Sequence, residues 1–462
     1  MAHDFIALPP DGAGKKLHTH SLNFNGDITH NQIMTIGDPE FSDRLQYVDE
    51  YGAAYVRFSE GNQIFDAFGK SKVSQETIVG SYVPTYGLSD ETAGVVNGTA
   101  GYVHLPDESA LRLSVGTASG DKIQMTTHKY HKFFPGTSQL IEITGVVGDF
   151  GKTNVIRQWG YYDDDNGVIF AMHGTNFGII LRSSVTGSPV DTFIPQSSFN
   201  KDKADGTGIS NFLMDPTKVN TYWIDFQWTG RIRVGGFSPA GTRVVFHEIE
   251  NANSSAYPSM GQSSLPLRVE MFNSGISASS SEMKVISAMV YTESNNLDFR
   301  GKCFSTAPFN GAPIVPTVTP VGNAFSTSVS IRPKALLAGK INRKAIIPSN
   351  LMVHTDKALQ LSIMFNITLD GTETWYPVHA NSAVEKCPGG VIVDLGTQDS
   401  HYCELIPAGT SAIDLEKSFH YLRKYLKNNA DGSQPKYSIV FRSIDGTSAT
   451  VVAGMTWTEL DI

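Results

Sequence analysis

Apolar side chains recur at every second position over most of this chain. Leu111, Leu113 and Val115 fall on one side of an extended segment, with Arg112 and Ser114 on the other. Tyr222, Ile224, Phe226 and Trp228 share a face opposite Trp223, Asp225, Gln227 and Thr229. Successive side chains of a strand point to opposite faces, so this period predicts strands with one buried face. Turn formers punctuate the runs at Pro135-Gly136, Asp205-Gly206, Asp215-Pro216, Thr229-Gly230, Pro239-Ala240-Gly241 and Asp370-Gly371. Short strands separated by such turns predict stacked antiparallel sheets rather than βαβ units. The strongest hairpin signal is the run from Trp159 to Phe170, where Asn166-Gly167 predicts a type I′ turn with φ > 0 at both central residues.

The expected fold class is mainly β: an antiparallel β-sandwich, jelly-roll or lectin-like, followed by a smaller C-terminal β domain carrying one helix. The helix is predicted near 411–429, where Leu415, Phe419, Leu422 and Leu426 repeat at helical spacing. Acidic residues lie early and Arg423, Lys424 and Lys427 late, as the helix dipole favours. Four prolines between Ala307 and Pro320 mark an extended, ladder-breaking linker. The expected organisation is therefore an irregular N-terminal arm over 1–75, a large β-sandwich over 76–306, a Pro-rich linker over 307–321 and the C-terminal β domain over 322–462.

Composition sharpens this in three ways. A chain of 462 residues is too long for one ordinary core, which agrees with several domains. A formal net charge of −9 argues against a sequence-independent nucleic-acid binder, which needs a basic footprint. The three cysteines, Cys303, Cys387 and Cys403, lack a C-x-x-C unit and read as reduced thiols, with a Cys387–Cys403 bridge as the alternative. No basic-then-apolar leader and no apolar run of about 18 residues is present, so neither a signal peptide nor a membrane helix is expected. The chain is expected to be synthesised in a cytoplasm.

Candidate chemistry is sparse. Asp163, Asp164 and Asp165 lie together with Asn166 and offer oxygen ligands to Ca²⁺, but the EF-hand frame is not met and a solvated hairpin tip accounts for them better. Paired catalytic carboxylates would need a second acid that nothing ties to this cluster. His18-Thr19-His20 and His128…His131 are the closest histidine pairs, each short of the third and fourth ligands that a metal site requires. No nucleophile elbow, phosphate-binding loop or H-E-x-x-H motif occurs. Tyr161, Tyr162 and Trp228 are candidates for stacking on a sugar, although alternation sends half of such strand aromatics into the core.

A resemblance emerges from longer stretches. It begins with Gln158-Trp159-Gly160-Tyr161-Tyr162-Asp163-Asp164-Asp165-Asn166-Gly167-Val168 and continues through Leu181 to Thr192, Gln196 to Asp202 and Trp223 to Trp228. Leu265-Pro266-Leu267-Arg268-Val269-Glu270, Ile341 to Pro348 and Met455 to Leu460 follow, with Ile64 to Phe68 upstream. This pattern resembles a family of uncharacterised virion structural proteins of tailed phages and large double-stranded DNA viruses. The resemblance implies a non-enzymatic structural component of a viral particle, capsid-associated or a tail or baseplate building block, located in the virion after synthesis in the host cytoplasm. It implies copies of itself and other virion proteins as partners, with no direct nucleic-acid or membrane contact. No cofactor is expected. The alternative is a lectin-like receptor-binding appendage that recognises host surface glycans; a glycan-cleaving enzyme is the weakest reading.

Overall fold

The computed structural model describes residues 4–7, 16–24, 27–32, 76–89, 91–293, 301–306, 325–394, 400–415, 426–429 and 432–460. The chain divides into two compact units, Met1–Asn62 and Gln63–Ile462. In the first unit Asp4–Ala7, Lys16–Phe24 and Asp27–Gln32 form a three-stranded antiparallel sheet, where the sequence reading expects an irregular arm. The register pairs Phe24 with Asp27. His18 and His20 both belong to the middle strand.

In the second unit the alternating runs form the predicted antiparallel sandwich. One sheet has seven strands in the order Val190–Pro195, Asn176–Ser183, Gly167–His173, Val155–Tyr162, Leu267–Asn273, Lys122–Thr127 and Thr92–Asn97. The opposing sheet runs Arg243–Glu250, Arg231–Phe237, Asn220–Phe226, Gln139–Val146, Ser281–Thr292, Ala110–Val115 and Gly101–Leu105, with Thr77–Tyr82 beside Ser281–Thr292. The inward faces carry the predicted residues. Trp159 packs its ring 5.0 Å from Tyr222, and Tyr161 lies 5.6 Å from Phe226 across the sheets. Each such aromatic pair contributes about 0.5–1.5 kcal/mol beyond the area it buries. Leu113, Ile141, Ile224 and Val290 complete a core without solvent access.

A second β body follows. Thr368–Leu369, Val384–Asp394, Ser326–Pro333, Tyr437–Ser443, Leu359–Phe365 and Ser400–Ile406 form one sheet; Lys302–Ser305, Val451–Leu460, Ala345–Thr355 and Gly409–Asp414 form the other. Leu351, Ile363, Ile439, Phe441 and Trp457 fill the core of this body.

Two expectations are corrected here. Lys302–Ser305 pairs with Val451–Leu460, so this strand belongs to the second body and not to the 76–306 sandwich. Ser411 to Asp414, expected to open a helix, instead pair with Asn350–Val353 as part of a strand. The edge of a sheet offers unpaired N–H and C=O groups along its length, and that outweighs a helical spacing carried by a few leucines. Residues 416–425 of the expected helix and the Pro-rich stretch 307–321 lie outside the described residues. Cys303, Cys387 and Cys403 are all unbridged.

Candidate functional site

The hairpin of Val155–Tyr162 and Gly167–His173 carries the acidic cluster at its tip. Strand pairing ends at Tyr162–Gly167, which leaves Asp163 to Asn166 as a four-residue loop in place of the predicted two-residue type I′ turn. Asp163 explains the difference. Its Oδ1 accepts hydrogen bonds from the backbone N–H groups of Asp165 and Asn166, both at 2.8 Å, and its own N–H donates to the Asn166 carbonyl. An Asp side chain closing a turn on its own backbone competes with a purely backbone turn. Gly167 takes up the strand again with φ 153°, and a Cβ there would lie 2.0 Å from Cβ of Tyr162.

Asp163 is therefore not solvated. Its side chain is 2% exposed, and Arg343 from the second body places Nη1 2.7 Å from its Oδ2. The same guanidinium approaches Asp165 at 3.6 Å, hydrogen-bonds Gln262 and lies 4.7 Å from the ring centre of Tyr130. Burial pushes the Asp163 carboxyl above its ordinary range, against the pull of Arg343 and the two backbone donors. The loop that presents Arg343 is itself pinned: Asn342 Nδ2 donates to the carbonyls of Lys334 and Ala383, and Asn428 Nδ2 donates to that of Asn342. The tip of the hairpin is a clasp between two β bodies.

The remaining acids of the tip are also engaged. Asp164 is exposed but accepts a 2.5 Å hydrogen bond from Arg268. Desolvation pulls its carboxyl up, and attraction to Arg268, Lys122 and Arg182 outweighs that, leaving it below the ordinary range. Arg268 and Arg182 in turn lie 5.3 and 5.8 Å from the ring centre of Tyr162, with Arg182 forked onto Asp191 at 2.7 and 2.8 Å. Each of the three aspartates faces a guanidinium. Among the described residues no group of three or more His, Cys, Asp or Glu side chains gathers as metal ligands would.

The aromatics proposed for sugar stacking are placed elsewhere. Tyr161 has no solvent access and spends its hydroxyl on the His131 carbonyl and Gln139, accepting in turn from the Leu265 N–H. Tyr162 is equally buried beneath its two arginines, and burial with Glu270 beside it pushes the phenol well above its ordinary range. Trp228 donates Nε1–H to the Met260 carbonyl at 2.7 Å and packs edge-on to Phe133. Neither tyrosine offers a ring face to a ligand, because the alternation that suggested strands also turned one inward and let arginines cover the other. His131 is fully buried between Tyr82 and Leu265, and burial lowers its imidazole well below the ordinary range.

The sequence reading passed over Arg343, Arg268 and Arg182. Arg343 stood inside the Ile341–Pro348 stretch and Arg268 inside Leu265–Glu270, but neither spacing nor period ties them to Asp163 or Asp164. A second oversight is the outward face of the seven-stranded sheet. Gln124, Gln158, Arg268 and Glu270 line it as buried polar side chains, with Lys122 3.1 Å from Glu270 and Gln158 3.0 Å from His173.

No family model matches this chain, and no curated protein matches it by sequence. Its structure is similar to several solved β-sandwich proteins. One is the CBM2 module of the evolved Dit of Lactobacillus casei BL23 phage J-1, at 6% identity and TM-score 0.32, over 48% of this chain and 99% of that one. A second is the carbohydrate esterase of the Shiga toxin-encoding bacteriophage phi24B, at 12% identity and TM-score 0.28, over 48% and 100%. A third is the legume lectin-like domain from Entamoeba histolytica, at 9% identity and TM-score 0.27, over 44% and 89%.

Proposed function

We propose that this chain is a non-enzymatic building block of a viral particle, of the tailed-phage kind, that associates with copies of itself and with other virion proteins. One observation carries the reading. Among the described residues, both sheets of the larger sandwich end in strands that pair on one side only, Thr92–Asn97 and Gly101–Leu105. Monomeric proteins blunt such edges with lysine, proline or bulges. These two strands hold no proline and no Lys, Arg, Asp or Glu. Val96, Tyr102 and Val103 stand 41–48% exposed along them. An open, apolar double edge suits a surface repeated by symmetry, where edge pairing and apolar contact close together. The resemblance to virion structural proteins agrees with it, as does a clasp that holds two β bodies together.

Mass photometry over a concentration series tests the self-association. The wild-type chain is expected to form oligomers that the V96K/V103K double variant loses while keeping its fold by circular dichroism. A wild-type chain that stays monomeric at every concentration, or oligomers indifferent to the double variant, would overturn the reading. Density for the chain in an intact particle, and its copy number, would separate a capsid position from a tail or baseplate ring.

A further inference from the structure

The two sheets of the larger sandwich close at their far edges in Arg243–Glu250 and Val190–Pro195, and neither strand invites another. Outward backbone groups of Arg243–Glu250 are already taken. The Asn200 side chain accepts from the Glu248 N–H and donates to the Glu248 carbonyl, both at 2.9 Å. The Phe246 carbonyl accepts from the N–H groups of Lys201 and Asp202 at 3.1 and 3.2 Å. This strand also carries Arg243, Glu248 and Glu250, and its pairing is bulged between Val234 and Gly235. Val190–Pro195 ends in proline and holds Asp191 in the fork of Arg182. Charge, proline, bulges and a covering segment are the devices by which a sheet refuses a further strand.

The near edges lack these devices and are held in fixed relation to each other. Thr92–Asn97 and Gly101–Leu105 follow each other in sequence, one closing each sheet. A Cβ on Gly94 would lie 3.6 Å from Cε1 of Tyr102, so the two edges stack near their middles. The link between them is pinned by Asp121, 2% exposed, which accepts the Thr99 N–H at 2.9 Å and the Thr99 hydroxyl at 2.5 Å. Gly98, at φ 69°, lets the chain pass so close: a Cβ there would lie 2.1 Å from Asp121 Oδ1. The double edge is thus ordered before a partner arrives, which lowers the entropic cost of association. Thr77–Tyr82 pairs directly with Ser281–Thr292 and is recessed one strand behind Gly101–Leu105.

Head-to-tail joining of sandwiches would run on as a filament, but with the far edges closed it has no acceptor. The near double edge fits the same double edge of a second copy. A twofold axis normal to the sheets sets each edge strand antiparallel to its own copy, the sense in which both already pair within their sheets. Because Gly94 lies over Tyr102, one axis serves both sheets. We propose that two copies of this chain join edge to edge about a twofold axis beside Val103 and Gly94, each sheet running on into its counterpart, so that sandwich-to-sandwich growth stops at a dimer. The inference rests on the self-association proposed above and gives it a symmetry and an end point.

The test uses the full chain with the exposed Cys303 and Cys403 changed to serine. In that background Val103→Cys puts a thiol at the middle of the near edge, and Thr192→Cys puts one on an exposed position of a far edge. Each is oxidised with copper phenanthroline, or joined by a short bismaleimide, at a concentration where mass photometry shows association. V103C is expected to give a covalent dimer, because only an isologous contact brings identical positions together. T192C should stay uncrosslinked, and V103C/T192C should give the dimer with no ladder above it. Association without a V103C dimer, a T192C dimer, or a V103C/T192C ladder would overturn the twofold and leave self-association standing. A chain monomeric at every concentration would overturn both.

Discussion

Replacing Arg343 by Met keeps a stem to pack on Tyr130 and removes the charge that faces Asp163. The carboxylate then has two backbone donors on Oδ1 and nothing on Oδ2, at 2% exposure. Removing one partner of a buried pair typically costs about 3–5 kcal/mol. Here the loss has a ceiling. Asp163 can take up a proton instead, and neutralising at pH 7 a carboxyl whose ordinary value is 3.8 costs about 4 kcal/mol at about 1.4 per unit. At pH 5 the same ceiling is only about 2 kcal/mol. We therefore expect R343M to lose about 3 kcal/mol at pH 7 and less than about 2 at pH 5. Urea unfolding followed by tryptophan fluorescence measures both. D163N/R343M should recover more than half of the loss at pH 7, because Asn keeps an acceptor for the two backbone donors and leaves no charge. A loss below about 0.5 kcal/mol for R343M, or a double variant no more stable than the single one, would refute the clasp.

Three further outcomes follow from the same structure. Lys427 is buried, and desolvation, with Lys129 nearby, drives its amine well below 10.5. The unfolded chain then holds a proton that the folded chain lacks, so this residue makes stability rise with pH between its folded value and 10.5. K427M should be more stable than wild type at pH 7.5 and show a shallower gain to pH 9.5; equal slopes in urea midpoints would contradict this. Gly167→Ala should cost more than about 2 kcal/mol, since its Cβ would meet Tyr162 and its φ is one that side chains rarely adopt; a thermal midpoint unchanged from wild type would exclude it. Glu459, 1% exposed, accepts from Ser382 at 2.5 Å, the Ala383 N–H at 2.8 Å and Trp457 at 3.2 Å. Glu459→Ala strands those three donors and should cost about 3 kcal/mol, against about 1 for Glu459→Gln, as denaturant melts would report.

The strands were legible because period two is a local signal: Tyr222, Ile224 and Phe226 point inward as their spacing says. Most turn glycines were legible for the same reason, with Gly136, Gly206, Gly241 and Gly371 all at positive φ. What escaped was non-local. Asp163 looked solvated because the residue that buries and neutralises it lies in another body, and no sequence spacing encodes that distance. Tyr162 looked like an exposed aromatic because its cover comes from Arg182 and Arg268 on two other strands. The stretch Gly409–Asp414 shows the converse error, a helical spacing overruled by a neighbouring strand edge available only in three dimensions.

The clasp also has a consequence for synthesis. Every strand of the larger sandwich has left the ribosome by Thr292, whereas Arg343 comes later and Asn428, which steadies its loop, later still. At about 5–20 residues per second, the hairpin tip waits several seconds or more for its counter-charge. During that interval the acidic tip of the hairpin lacks the guanidinium that faces Asp163 in the finished chain.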